Sequence, residues 1–106
     1  MDESEFEALA GAVLARIEVA LEESGTDVDM ELKEGGILEL EFEDGTKLIV
    51  NRHRAAREIW VAAPSGGFHF RWDGAAWRDT RYGTELFAAL STLVCRQGGR
   101  PVLLKP

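Results

Sequence analysis

The chain has 106 residues, of which 45% are hydrophobic and 29% charged, the size and composition of one globular domain that buries its own core. Its formal net charge of −7 is segregated: residues 1–44 carry 15 Asp and Glu against only Arg16 and Lys33, whereas residues 45–106 carry 4 acids and 10 bases. Such an acidic front half repels phosphate backbones and anionic lipids, so neither nucleic acid nor a membrane is the expected partner; a hard cation or a basic protein is.

The opening Met1-Asp2-Glu3-Ser4-Glu5 is acidic where a targeting segment is basic, so either a bacterial-type cytoplasmic location or a presequence already removed is expected. Phe6, Leu9, Ala10, Val13, Ile17, Ala20 and Leu21 then recur at spacings of three and four, which predicts a helix lying on a core. Ser4, with Glu7 completing a capping box, or alternatively Asp2, starts it, and Gly25 ends it. The period next switches to two. Val28, Met30 and Leu32 alternate with Asp27, Asp29, Glu31 and Lys33, and after Gly35-Gly36 a second run alternates Leu38, Leu40 and Phe42 with glutamates. Asp44-Gly45 is a hairpin signal that delivers a third strand, Lys47 to Arg52.

His53 to Arg57 reads as a polar loop, Glu58 to Ala63 as a fourth strand, Pro64-Ser65-Gly66-Gly67 as a turn, and Phe68 to Trp72 as a fifth strand. A short sixth strand covers Trp77-Arg78-Asp79, and a second helix runs from about Thr84 to Gly98-Gly99 with Leu86, Leu90, Leu93 and Val94 on one face. Cys95 lies in that helix and is the only cysteine, which excludes an internal disulfide or a thiolate metal cluster. Its expected role is that of a small buried hydrophobe. The apolar tail Pro101 to Leu104 is expected to pack back on the helices. The predicted architecture is therefore α+β, one domain over residues 1–106: N-terminal helix, antiparallel sheet of about six strands, C-terminal helix, packed as a two-layer αβ sandwich.

Catalytic signatures are absent: the chain has no phosphate-cradling glycine loop, no nucleophile elbow and no histidine-rich metal motif. His69 sits between Phe68 and Phe70 on a strand and so points to solvent, and His53 falls among arginines. What remains is carboxylate. Glu18 and Glu22 share a helical face four residues apart, Glu23 lies beside them, and Asp27, Asp29 and Glu31 project to one side of the first strand. Gly11, Ala15 and Val19 interrupt the helical row. Like charges at this spacing repel by a few tenths of a kcal/mol, and Glu22 and Glu23 stand at the helix end that disfavours anions. A placement that costs stability without Lys or Arg partners points to a binding surface for an oxygen-seeking cation, held weakly through exposed carboxylates. Alternation also sends Trp60 away from the core that Ile59 and Val61 face, which marks it as a protein contact near Asn51 and Arg52; Trp72 and Trp77 are expected in or near the core.

The stretches Ser4-Glu5-Phe6, Phe42-Glu43-Asp44-Gly45-Thr46-Lys47, Val50-Asn51-Arg52, Ile59-Trp60, Gly66-Gly67-Phe68-His69-Phe70, Gly74 with Trp77, and Asp79 with Gly83-Thr84-Glu85 resemble the frataxin family in its bacterial, CyaY-type branch. They span nearly the whole chain. The resemblance implies the same helix-strands-helix fold and weak, reversible binding of Fe2+ and Fe3+ along the first helix and strand. It also implies contact with the cysteine desulfurase of iron–sulfur cluster assembly, with the scaffold protein as a second candidate partner, and modulation of the assembly rate. Carried over by position, the iron ridge is Glu18, Glu22, Glu23, Asp27, Asp29 and Glu31, and the partner contacts are Trp60, Asn51, Glu18 and Glu22. A non-enzymatic regulator, monomeric and oligomerising with iron, is the expectation. The alternatives are a weak ferroxidase or iron-storage protein, and an acidic interaction module for which metal is incidental.

Overall fold

In the computed structural model of the protein, which describes residues 1–106, the elements are helix α1 (Glu3–Ser24), strands β1 (Val28–Lys33), β2 (Ile37–Phe42), β3 (Lys47–His53), β4 (Glu58–Ala63), β5 (Gly66–Trp72) and β6 (Trp77–Asp79), and helix α2 (Leu86–Gly98). The apolar stripe of α1 becomes a buried face of Phe6, Ala10, Val13, Leu14, Ile17, Ala20 and Leu21. Of the two starts open to the sequence, Asp2 is the cap: its Oδ1 accepts the Glu5 N–H at 2.8 Å, and Ser4 is already inside the helix. Gly25 closes the helix in the left-handed conformation at φ 70°, donating its N–H to the Glu22 carbonyl. No base stands in the last turn; instead the Ser24 hydroxyl donates to the Leu21 carbonyl at 2.7 Å.

The six strands pair antiparallel in sequence order, from β1 at one edge to β6 at the other. Leu38, Leu40, Phe42, Leu48, Val50, Ile59, Val61 and Phe70 turn to one face and bury against both helices in a single core with Trp77, Leu86, Leu90 and Val94. Each such fully buried aliphatic or aromatic side chain contributes about 1.5–3 kcal/mol, so the sheet and helices are stable only together. The opposite face of the sheet is open.

Turn chemistry moves several boundaries. Asp44 Oδ1 accepts both the N–H and the hydroxyl of Thr46, fixing the β2–β3 turn as the Asp-Gly signal requires. The β4–β5 connection is shorter than the sequence reading: Ala63 pairs with Gly66 and Ala62 with Gly67, so only Pro64-Ser65 form the turn and both glycines belong to β5. β3 runs one residue past Arg52, which places His53 on the sheet rather than in the loop. α2 starts at Leu86, two residues later than read, because the Glu85 carboxylate caps it through the N–H groups of Phe87 and Ala88. The buried Asp79 carboxylate accepts the N–H groups of Arg81 and Tyr82, and the Asp79 N–H donates to the Thr84 carbonyl. These residues of the resemblance therefore serve the β6–α2 corner.

The tail returns to the helices as expected. Leu104 is buried, and its N–H donates to Ser91 Oγ at 2.8 Å while that hydroxyl donates to the Phe87 carbonyl. Ser91→Ala leaves the buried Leu104 N–H without an acceptor, a loss of about 1–3 kcal/mol. Urea unfolding should show that loss as a lower midpoint at unchanged slope.

Candidate functional site: an open acidic edge

Three kinds of carboxylate stand in the acidic half of the chain, and their partners separate them. Glu3 and Glu7 near the start of α1 are engaged by Arg54, and Glu7 also by Arg52 at 2.9 Å. On the outer sheet face, register sets Asp29 opposite Glu41 and Glu31 opposite Glu39, an arrangement of like charges that destabilises a strand pair. Lys33 and Lys47 relieve half of it by bonding Glu39 at 2.5 and 3.1 Å, with Lys47 also 4.0 Å from Glu41. Hydrogen bonds from these two lysines hold the Glu39 carboxyl below its ordinary range, and Glu39 in turn raises the Lys33 ammonium.

The third kind is the set read from the sequence as the iron ridge. Glu23 pairs with Arg16 at 3.2 Å. Glu18, Glu22, Asp27, Asp29 and Glu31 have no ion-pair partner. Their placement is not one flat row. The inner side of β1, with Val28 and Met30, packs towards the core under α1, so Asp29 and Glu31 project from the opposite, outer face. Glu18 lies on the helix side, lining a groove with Gly11, Leu14, Ala15, Leu32, Gly36 and Arg52. The helical acids and the strand acids thus flank the edge of β1 from two sides. Asp27 precedes the strand and lines a polar groove of about 440 Å³ with Glu43, Asp44 and Arg100, where the C-terminal ends of both helices meet. No three His, Cys, Asp or Glu side chains converge to cage a metal ion. Such spacing offers a cation no more than one or two carboxylates, the rest of its shell being left to water.

A second arrangement lies on the outer face, where Asn51 pairs across the strands with Trp60, and Trp60 with His69. Trp60 turns away from the core as alternation requires, but it is half-buried rather than bare. Its ring is stacked between His53 (centroids 3.7 Å apart, planes at 11°) and His69 (4.3 Å, 8°). The column rests on Glu58, a buried carboxylate the sequence reading passed over. Its Oε1 accepts the Trp60 indole N–H at 2.8 Å and lies 3.7 Å from His69 Nδ1, and its Oε2 accepts from Arg71 at 2.6 Å. The signal was present: Glu58 shares the parity of Trp60 on β4. Trp72 is half-buried and meets the buried Trp77 edge-on, as expected of them.

Burial pushes the Glu58 carboxyl upward, but the bonds from Trp60 and Arg71 outweigh it and hold it below its ordinary value of 4.5. A group depressed in the folded state stabilises the fold above its unfolded value, and that contribution disappears as pH falls through the folded value. Stability should therefore drop below about pH 4, and Glu58→Gln should make the drop shallower while lowering stability at pH 7. Thermal melts between pH 7 and pH 2.5 measure both.

The fold is an α+β sandwich with acidic carboxylates along the open β1 edge of its sheet and an aromatic column on the bare face at β3–β5. The chain belongs to the frataxin family: the family model described as a frataxin-like domain matches residues 1–100. It is 60% identical over 105 residues to the iron-sulfur cluster assembly protein CyaY of Dechloromonas aromatica, covering 99% of this chain and 100% of that one. The CyaY protein of Paraburkholderia phymatum is 50% identical over 106 residues, covering 100% of both chains. Among solved structures, the frataxin of Psychromonas ingrahamii, a member of the CyaY family, superposes with a TM-score of 0.91 at 38% identity over 100% of both chains. The trimeric yeast frataxin complexed with ferrous shares the fold, with a TM-score of 0.67 at 24% identity over 94% of this chain and 88% of that one. No helix is long and apolar enough to cross a membrane.

Proposed function

We propose that this chain is a non-enzymatic regulator and adaptor of iron–sulfur cluster assembly. It presents Glu18, Glu22, Asp27, Asp29 and Glu31, with Glu23 at their margin, to ferrous and ferric iron and to a basic surface of the cysteine desulfurase. One observation carries the reading. Bases engage Glu3, Glu7, Glu39 and Glu58, whereas the acids around β1, together with the neighbouring Glu34, Glu43 and Asp44, have no ion-pair partner. Carboxylates kept charged and solvated attract cationic groups over a Debye length of about 8 Å and speed encounter with a basic partner. The names of the relatives, iron-sulfur cluster assembly protein CyaY, supply the process.

The ferroxidase and iron-storage readings need bridging carboxylates held close together in a protected site. Exposed, separately standing acids favour a loading and docking surface. Trp60, with Asn51 as its cross-strand neighbour, forms the second contact of the adaptor, its ring presented at a fixed angle by the two histidines. The scaffold protein is the second candidate partner for this face. The cytoplasm is the proposed site of action, and a monomer that associates further when loaded with iron is the proposed resting state.

Glu18→Lys combined with Glu22→Lys should weaken binding of the cognate desulfurase at least about tenfold, with the circular dichroism spectrum unchanged. Isothermal titration with the purified desulfurase, with and without iron, measures it. Loss in both conditions supports docking through the ridge; affinity equal to that of the unaltered chain overturns it. Trp60→Ala should weaken the same complex while the domain remains folded, and melting of the domain would instead make Trp60 a structural residue.

A further inference from the structure

The two edges of the sheet are finished differently. β6 is three residues long, and its outer side is occupied by the chain itself, through a bridge between Arg78 and Glu85 and the bond from the Asp79 N–H to the Thr84 carbonyl. β1 is six residues long and pairs only with β2. No backbone group of Val28–Lys33 makes a hydrogen bond outside that ladder, to backbone or to side chain. Every second residue of β1 therefore turns an unpaired N–H and C=O outward.

The surroundings of this edge have two chemistries. On the outer face stand the unpartnered carboxylates of Asp29 and Glu31. On the helix side lies a groove of about 220 Å³ lined by Gly11, Leu14, Ala15, Leu32 and Gly36, with Glu18 and Arg52 also on its wall. Leu32 is 61% exposed, and Val19, one turn beyond Ala15, is 42% exposed. Of these, Gly11, Ala15 and Val19 are the small and apolar residues that interrupt the acidic row of α1. They have no role in gathering cations, and they leave room beside β1 for side chains from elsewhere.

We propose that the β1 edge accepts an extended segment of a partner protein as a seventh strand, and that the segment alternates basic and apolar residues. The inference rests on the proposed ridge, since it uses Asp29 and Glu31, and it specifies how a basic partner is held. Side chains of an added strand point alternately to the two faces of the sheet. Lysines or arginines at alternate positions meet Asp29 and Glu31, while the intervening apolar residues enter the groove beside Leu32. Backbone bonds to β1 supply affinity, and the alternating side chains supply selection. A second copy of this chain is a poor occupant, because it brings more acids to the same edge while Lys33, the one base of β1, is engaged by Glu39.

Two ten-residue peptides alternating lysine with valine provide the test, one N-methylated on every lysine and the other on every valine. The isomers have equal charge and composition, but in each only one edge of the extended chain can pair. With lysines towards Asp29 and Glu31, one therefore adds antiparallel and the other only in the less stable parallel sense. Titrated into the full-length protein, they should differ in affinity at least about tenfold, and the tighter one should slow amide exchange within Val28–Lys33. Equal affinities, or amides in β1 that exchange as fast with peptide as without, overturn strand addition. Equal affinities alongside salt-sensitive desulfurase binding would leave the ridge intact and remove only this inference. Isomers that differ, alongside desulfurase binding indifferent to Glu18→Lys and Glu22→Lys, would retain strand addition and remove the ridge.

Discussion

The structure turns on which carboxylates are neutralised. The second half of the chain carries the bases, and the fold brings several of them across to the first half: Arg52 and Arg54 to Glu7, and Lys47 to Glu39. Had these contacts spread evenly, the surface would be an ordinary mixture of charges. Instead they fall on the start of α1 and on β2. At the end of α1 only Glu23 is paired, to Arg16, so Glu18, Glu22 and the acids of the strand that follows stay uncompensated. That residue of negative charge opposes folding through like-charge pairs and through glutamates at the wrong end of the helix dipole. Its persistence on a well-packed scaffold is the ground for the docking role proposed for it.

The rest of the molecule can be understood as the support for that edge. The buried stripe of α1 fixes the helix over the sheet, and the left-handed Gly25 reverses the chain so that β1 runs back along the helix that precedes it. Lys33 and Lys47 neutralise the inner column of the facing acids and leave the outer one, Asp29 and Glu31, free. Farther along the same sheet face, Glu58 fixes the Trp60 indole and two imidazoles brace its planes, so the ring is held in one rotamer. The acidic edge and the aromatic column belong to one sheet and are held by one core.

Most of the fold was legible because its periods are clean. The stripe from Phe6 to Leu21 and the alternations through Leu38–Phe42 and Ile59–Val61 each specify one face. Registers were less legible. Reading Pro64 to Gly67 as the turn would shift the fourth and fifth strands by two residues and set Trp60 opposite Arg71; the two-residue turn sets it opposite His69 instead. Parity survives a shift of two, so the faces came out right while the partners did not, and the histidine stack and its buried Glu58 went unread. The acids of the ridge were visible as residues, but their division between two sides of β1 depends on the sheet order and on the face that α1 covers. Neither can be read from spacing alone.

The central claim is that unneutralised charge around β1 carries the partner interaction, and its ionic-strength dependence tests that most directly. Desulfurase affinity measured from about 50 to about 500 mM monovalent salt should fall steeply, as the Debye length shrinks below the spacing of the facing charges. An affinity unchanged across that range would contradict the account.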